Sequence, residues 1–395
     1  MHTRFIHALK YLIWALISCI IFAGPISADK MKVAFINPAY PAEPFWSLMT
    51  NLMQSVAHDL DIDLQVYYSD RNRFQSLALA QEILSTDKKP DYLVFHFQAQ
   101  MGARMLQAAE QAKVYSLVIN TNAPKADKTD IGQPRDKFKY WLGHIVPDDF
   151  RAGALLASAL IDKASKTMQS PANTKIQMLG LTGSFDNTAS VERELGLKSV
   201  VDQRDDVILH QIVSAGWDQQ KASQVTKVLM ARYPETKLIW SASDVMALGA
   251  IEALEDMGLK PGVDVLLGGI DGVDEGLEAV SRGKMAATVS GHFIEAAWAL
   301  VLLYEHYHGK DLLKENGPTL HSRMYLVDED NVATVRSRMN AEYFNTLDFR
   351  SFSTQSEGAP LSLPQLVLSA LSGNADSVRI ERDSPEGTII NIRKK

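Results

Sequence analysis

The chain has 395 residues, 46% of them hydrophobic and 22% charged, which is ordinary globular composition with material for two or three domains. Its formal net charge is −7. An acidic chain lacks the basic footprint that nucleic-acid phosphates require, which argues against nucleic acid as a partner.

Residues 1–28 stand apart. Arg4 and Lys10 are basic, no acid occurs, Tyr11 to Phe22 is almost wholly apolar, and Ala23-Gly24-Pro25-Ile26-Ser27-Ala28 follows. This reads as a secretory signal peptide cut near Ala28, because its apolar run falls short of the ~20 residues a membrane helix needs. The single cysteine, Cys19, lies inside it, so the exported protein is expected to form no disulfide. Leu16-Ile17-Ser18-Cys19 has some likeness to a lipoprotein cleavage box, but the apolar Ile20-Ile21-Phe22 after it is unlike a lipidated terminus. Without Arg4 and Lys10, 38 basic residues face 47 acidic ones, a net charge of about −9 that favours solubility.

Met31 to Ile36 is a short apolar run, as expected of a strand buried on both faces of a parallel sheet. A polar loop broken by prolines leads to Phe45-Trp46, after which Leu48, Leu52, Val56 and Leu60 recur at four-residue spacing along a helix. Strand and helix then alternate: strand Leu64 to Tyr68, helix Phe74 to Ser85, strand Tyr92 to Phe95 ending at His96, helix Ala103 to Ala112, strand Tyr115 to Ile119 ending at Asn120. Such alternation predicts a parallel, doubly wound α/β sheet with right-handed crossovers.

Ala123 to Lys139 has no sustained apolar period and reads as a surface loop. Tyr140 to Gly143 is a strand, and Asp148-Asp149 opens a helix from Phe150 to Lys163, where acids cap free amides. A second alternating series follows: strand Ile176 to Leu181, helix Ala189 to Val201, strand Val207 to Val213, helix Gln219 to Arg232, strand Leu238 to Trp240, helix Val245 to Met257 and strand Val263 to Leu267. Asp271, between Gly268-Gly269-Ile270 and Gly272, is read as lying just past that strand, where backbone can approach a ligand. Ala286 to Ser290 is a strand, Ile294 to Tyr307 a helix and Met324 to Val327 a last strand. Beyond Asn345 the periodicity fades, with one short helix expected at Leu363 to Leu371.

Three stretches carry a resemblance to a known family: Glu43-Pro44-Phe45-Trp46, Ser243-Asp244-Val245-Met246-Ala247-Leu248-Gly249-Ala250 and Gly268-Gly269-Ile270-Asp271-Gly272. Over roughly Met31 to Asp328 the chain resembles the periplasmic sugar-binding proteins of the ribose and galactose type, the type I receptors of ABC importers. Repressors of the lactose-repressor type share the core but start with a basic helix-turn-helix, whereas this chain starts with a leader.

The resemblance implies two doubly wound parallel-sheet α/β lobes joined by a three-strand hinge and closing on a sugar. It implies a signal peptide at 1–28, a first lobe from 29–145 plus 291–322, a second from 146–290 plus 323–345, and an unplaced extension at 346–395. It places Glu43, Phe45, Trp46, His96 and Asn120 against the ligand from the first lobe, and Arg193, Trp217, Ser243 and Asp271 from the second. Aromatic rings suit the C–H faces of a sugar, and planar polar groups suit its hydroxyls. Asn120-Thr121 stands where the family often has aspartate then arginine, and Gly291, with His292 beside it, where it often has an amide, so the ligand could be a polyol, a modified sugar or a sugar-like signal. The implied partners are a small sugar or polyol and an inner-membrane ABC permease, or alternatively a membrane kinase or cyclase for which the protein is a sensory co-receptor. The protein is expected to be a periplasmic monomer.

No catalytic constellation stands out: there is no Gly-x-Ser-x-Gly elbow, no phosphate-cradling Gly-rich loop, no His-Glu-x-x-His and no mature cysteine nucleophile. Paired acids such as Asp148-Asp149 read as caps and turns. An enzyme is not expected, nor a metal or organic cofactor; His306 and His308 are two apart and share no helix face.

Overall fold

The computed structural model describes residues 29–167 and 174–353. The leader, the short helix expected at Leu363 to Leu371 and the rest of the extension from 354 lie outside the described residues.

One sheet is built from β1 (Lys32–Asn37), β2 (Asp63–Tyr68), β3 (Tyr92–His96), β4 (Tyr115–Ile119), β5 (Trp141–Pro147) and β11 (Thr319–Ser322). A second uses β6 (Ile176–Thr182), β7 (Val207–Ser214), β8 (Leu238–Ser241), β9 (Leu266–Asp271), β10 (Ala287–Ser290) and β12 (Tyr325–Val327). Their orders are β11-β5-β4-β3-β1-β2 and β12-β10-β9-β8-β6-β7, parallel except for β12 against β10. The inner strands β1 and β3 are buried almost throughout, which is why they read as continuous apolar runs. The edge strands β2 and β7 are mostly half-buried and carry polar residues.

The helices are α1 (Pro44–Asp59), α2 (Arg73–Ser85), α3 (Met101–Ala112), α4 (Lys125–Ile131), α5 (Asp149–Thr167), α6 (Thr188–Val201), α7 (Gln219–Arg232), α8 (Asp244–Asp256), α9 (Asp274–Ser281), α10 (Glu295–Tyr307), α11 (Leu312–Asn316), α12 (Val332–Arg338) and α13 (Ala341–Phe344). In both sheets the winding reverses beside the first strand, between β1 and β3 and between β6 and β8. That reversal opens a crevice beyond the carboxyl ends of the strands, where ligands of such sheets bind. The two doubly wound lobes and their three-strand hinge are as expected, with the chain crossing after β5, after β10 and between β11 and β12. No helix among the described residues is long and apolar enough to cross a membrane.

Three readings need correction. The loop expected from Ala123 to Lys139 contains α4, which buries Ile131 and Asp127, although seven residues are too few to display a period. The strand expected at Val263 to Leu267 begins at Leu266 instead, because Lys260 to Asp264 is a turn in which Gly262 has φ 79° and Lys260 N–H donates to Asp264 Oδ2. Asp271 is therefore the last residue of β9 and not a loop residue. Third, the chain crosses between the sheets' lobes once more. α12 packs on α9 beside the second sheet, whereas α13 and the 3₁₀ turn Phe349–Phe352 pack on α1 beside the first. Residues 341–345, assigned to the second lobe, and 346–353, left unplaced, thus lie against the first: Phe344, Phe349 and Phe352 are buried there, and Ser55 Oγ–H donates to Asn345 Oδ1 at 2.7 Å.

Candidate functional site

Between the lobes lies a cleft of about 670 Å³, and all nine residues expected at the ligand line it. The strand ends deliver them. From the first lobe, the loop after β1 brings Glu43, Phe45 and Trp46, β3 ends on His96, and Asn120 follows β4; from the second, Trp217 follows β7, Ser243 follows β8, and Asp271 ends β9. Arg193 projects from α6.

Arg193 is the centre of the second-lobe wall. Its Nε–H donates to Asp149 Oδ1 at 2.8 Å, its Nη1 to the Ala242 carbonyl at 2.7 Å and to Asp271 Oδ1 at 3.2 Å, and its Nη2 to His292 Nε2 at 3.3 Å. The guanidinium also lies over the Trp217 ring, 5.8 Å from its centroid. All of these groups except Trp217 are buried. Burial raises the Asp271 carboxyl to about 6, even though Arg193 opposes the shift. Burial, then the charge of Arg193, lowers His292 to about 3, so its ring is neutral. With Nε2 accepting from Arg193, the His292 proton sits on Nδ1.

On the first-lobe side, Trp46 meets His96 edge-on at 5.2 Å, and Phe45 stacks on His292, in the crossing after β10, with ring centroids 4.5 Å apart. Glu43 caps α1: its Oε2 accepts the Trp46 N–H at 2.9 Å. Ser243 likewise caps α8, accepting from Met246 N–H, which leaves its hydroxyl proton to donate. Four polar atoms on cleft residues have no hydrogen-bond partner: His96 Nδ1, Gln98 Oε1, Asn120 Nδ2 and His292 Nδ1. Each such buried atom costs about 1–3 kcal/mol until something fills it.

The backbone is strained at the same place. Asn120, Trp217 and Asp271 have φ of 70°, 64° and 136°, conformations costing on the order of 1–3 kcal/mol that persist where the surroundings enforce them. Asp244 enforces one. Its Oδ2 accepts the N–H groups of Gly272 and Val273, and its Oδ1 accepts the Thr288 hydroxyl at 2.6 Å, so the turn after Asp271 is fixed from behind. A side chain at Gly269 would place Cβ 2.3 Å from Asp244 Oδ1, which accounts for that glycine. Trp217 rests on Gly183, whose Cβ would fall 2.0 Å from the indole.

The periplasmic binding protein domain family matches residues 33–311. The chain belongs to that family. A ribose import binding protein of Salmonella typhimurium is 26% identical over 278 residues, 70% of this chain and 85% of the relative. The crystal structure of a periplasmic sugar-binding protein from Pseudomonas fluorescens matches with a TM-score of 0.76 at 30% identity, covering 86% of this chain and 99% of that one. A periplasmic solute-binding protein of an ABC transporter from Actinobacillus succinogenes, solved with D-allose, shares the fold with a TM-score of 0.67 at 21% identity, covering 77% and 99%. The resemblance to periplasmic sugar-binding proteins read from the three motif stretches is borne out.

For a periplasmic binding protein domain, two residues of this wall were hard to read in advance. The sequence reads Asp149 as a helix cap; Asp148 does that work, accepting the Arg151 N–H, and Asp149 instead grips Arg193 from 44 positions away. In the sequence His292 stands out only as the neighbour of Gly291. Its signal is its place two residues after β10, at a crossing between lobes.

The cap residue Glu43 also carries a pH prediction. Burial raises its carboxyl to about 7 from 4.5, with Asp271 adding to the rise and Arg71 and the Trp46 N–H opposing it. A carboxyl that holds its proton more tightly when folded adds stability that is complete below the unfolded value and is lost as pH rises through the folded one. Urea midpoints of the wild type should therefore fall relative to Glu43→Gln between about pH 4.5 and 7. Parallel curves over that window would show that Glu43 titrates normally.

Proposed function

We propose that the protein is a periplasmic receptor which closes its two lobes on a sugar or polyol and presents it to an inner-membrane ABC permease. The leader at 1–28 exports it, and it acts as a monomer that binds and releases its ligand unchanged. The lobes, 29–145 with 291–322 and 146–290 with 323–340, move as two bodies about the hinge. The observation that carries this reading is the convergence, in one cleft, of unpartnered polar atoms on His96, Gln98, Asn120 and His292 with the Arg193 wall of the second lobe, beside the rings of Phe45, Trp46 and Trp217. Ring faces match sugar C–H faces, and unfilled donors and acceptors match hydroxyls. The names of the ribose-binding and D-allose-bound relatives point the same way.

A thermal-shift screen over pentoses, hexoses, polyols and nucleosides tests it, since a ligand that binds only the folded state raises the melting point. Closure needs contacts from both lobes, because a ligand with no differential affinity for the closed state shifts nothing. With the best sugar, Trp46→Ala should cost about 2 kcal/mol of binding through the lost ring face. Asp271→Ala should cost roughly 1–3 kcal/mol by stranding ligand hydroxyls. Either is about a tenfold to hundredfold loss in affinity, read by titration calorimetry, with small-angle scattering reporting compaction. Unchanged affinity in both variants, or binding without compaction, would place the site elsewhere.

A further inference from the structure

The cleft extends past the nine residues that the family resemblance indicates. Its outer part is lined by Arg71, Asn72, Arg73, Phe74 and Gln98 of the first lobe and by Asp186, among others, of the second. Arg71 and Arg73 are the cations of this outer part, and both are loosely held. The guanidiniums of Arg135, Arg193, Arg204 and Arg336 each donate two or more hydrogen bonds to carboxylates or carbonyls. Among the described residues those of Arg71 and Arg73 donate none: Arg71 has one loose ion pair, to Glu43 at 3.8 Å, and Arg73 has one to Asp186 at 3.7 Å and lies over the Phe74 ring, 5.3 Å from its centroid.

The backbone presents Arg71 at a cost. Asp70 and Arg71 are consecutive left-handed residues with φ of 52° and 60°, and Arg71 N–H donates to the Pro38 carbonyl, which holds the turn against the cleft. Both arginines stand at the positive end of the 13-residue α2. Glu43, the partner of Arg71, is pushed up to about 7 by burial, so much of its negative charge is absent at neutral pH. In a protein of net charge −7, the outer cleft is a local cationic chamber. It opens onto the inner wall, where His96 Nδ1 has no partner, and Gln98 Oε1 in the outer part has none either.

We infer that the ligand is a sugar carrying an oxyanion, a phosphate or a carboxylate, with the ring held between Trp46 and the Arg193 wall and the anion gripped by Arg71 and Arg73. The inference rests on the sugar-receptor reading and narrows its substrate class. A planar guanidinium suits either anion because two parallel N–H groups match two oxygens. Asp186, facing Arg73 from the second lobe, competes with that anion.

The test is calorimetry on the full mature protein with matched pairs: ribose and ribose 5-phosphate, glucose, glucose 6-phosphate and glucuronate, galactose and galacturonate. One acidic member should bind at least about tenfold more tightly than its neutral partner, and whether it is a phosphate or a carboxylate assigns the anion. The acid-to-neutral ratio should collapse towards one in Arg71→Gln/Arg73→Gln, fall with added salt, and rise in Asp186→Asn. Neutral sugars that bind as tightly as their acids, or an acid preference that survives the double substitution, would overturn the anion subsite while leaving the sugar receptor standing. No binding by any member, neutral or acidic, would overturn both.

Discussion

Arg193→Met is expected to abolish ligand binding and to lower the stability of the fold by about 3–5 kcal/mol, because removing one partner of a buried ion pair leaves uncompensated charge behind. Here two carboxylates would be stranded, Asp149 and Asp271, both buried and both bonded to the guanidinium. Arg193 is the main influence keeping their carboxyls from rising further, so in its absence both should take up protons more readily. The deficit should therefore be larger at pH 8 than at pH 5. Urea unfolding at the two pH values reads the stability, and calorimetry reads the binding. A variant as stable as the wild type at pH 8 would mean that the Asp149–Arg193–Asp271 network contributes nothing net, as some buried ion pairs do when replaced by well-packed apolar groups.

Phe349→Ala should cost about 3–5 kcal/mol, the usual range for emptying a fully buried aromatic site. Phe349 is entirely buried in the same core as Met49, Leu52 and Val56 of α1, and its turn is tied down by Arg350 N–H donating to Asp59 Oδ2 at 3.1 Å. Nearby, the Ser353 hydroxyl donates to the buried Glu305 on α10. Sequence periodicity gave this segment no place, so a large effect there is a strong test of the packing. A loss below about 1 kcal/mol, measured by urea unfolding, would show that residues 341–353 do not belong to the core of the first lobe.

Why one part of the molecule was legible and another was not comes down to the range of the interactions. Strands such as Tyr92–His96 are buried on both faces, so their burial is written in consecutive residues and needs no partner to be seen. The nine cleft residues are legible through motif resemblance, and the strand ends, with α6 for Arg193, bring them together. Asp149 is not, since an acid at a helix start already has a local explanation and its real partner is distant in sequence. The segment containing Phe344, Leu347, Phe349 and Phe352 is two short turns, each too brief for its i, i+3 apolar spacing to show as a period; its apolar residues fit a surface made by α1, some 290 positions earlier. Short α4 failed for a simpler reason, having only Ala126 and Ile131 as apolar residues.

The late return of the chain to the first lobe also bears on the order in which the molecule can be made. The second sheet takes all but its last strand from one continuous stretch, Ile176 to Ser290, whereas the first needs Thr319–Ser322 for its edge and Phe349 and Phe352 for its core. On a ribosome that adds about 5–20 residues per second, the amino-terminal lobe begins first and is finished last. Until residues 341–353 have emerged, the apolar face of α1 that Phe344, Phe349 and Phe352 cover has no partner, so the first lobe's core stays incomplete after the second sheet's continuous stretch is already made.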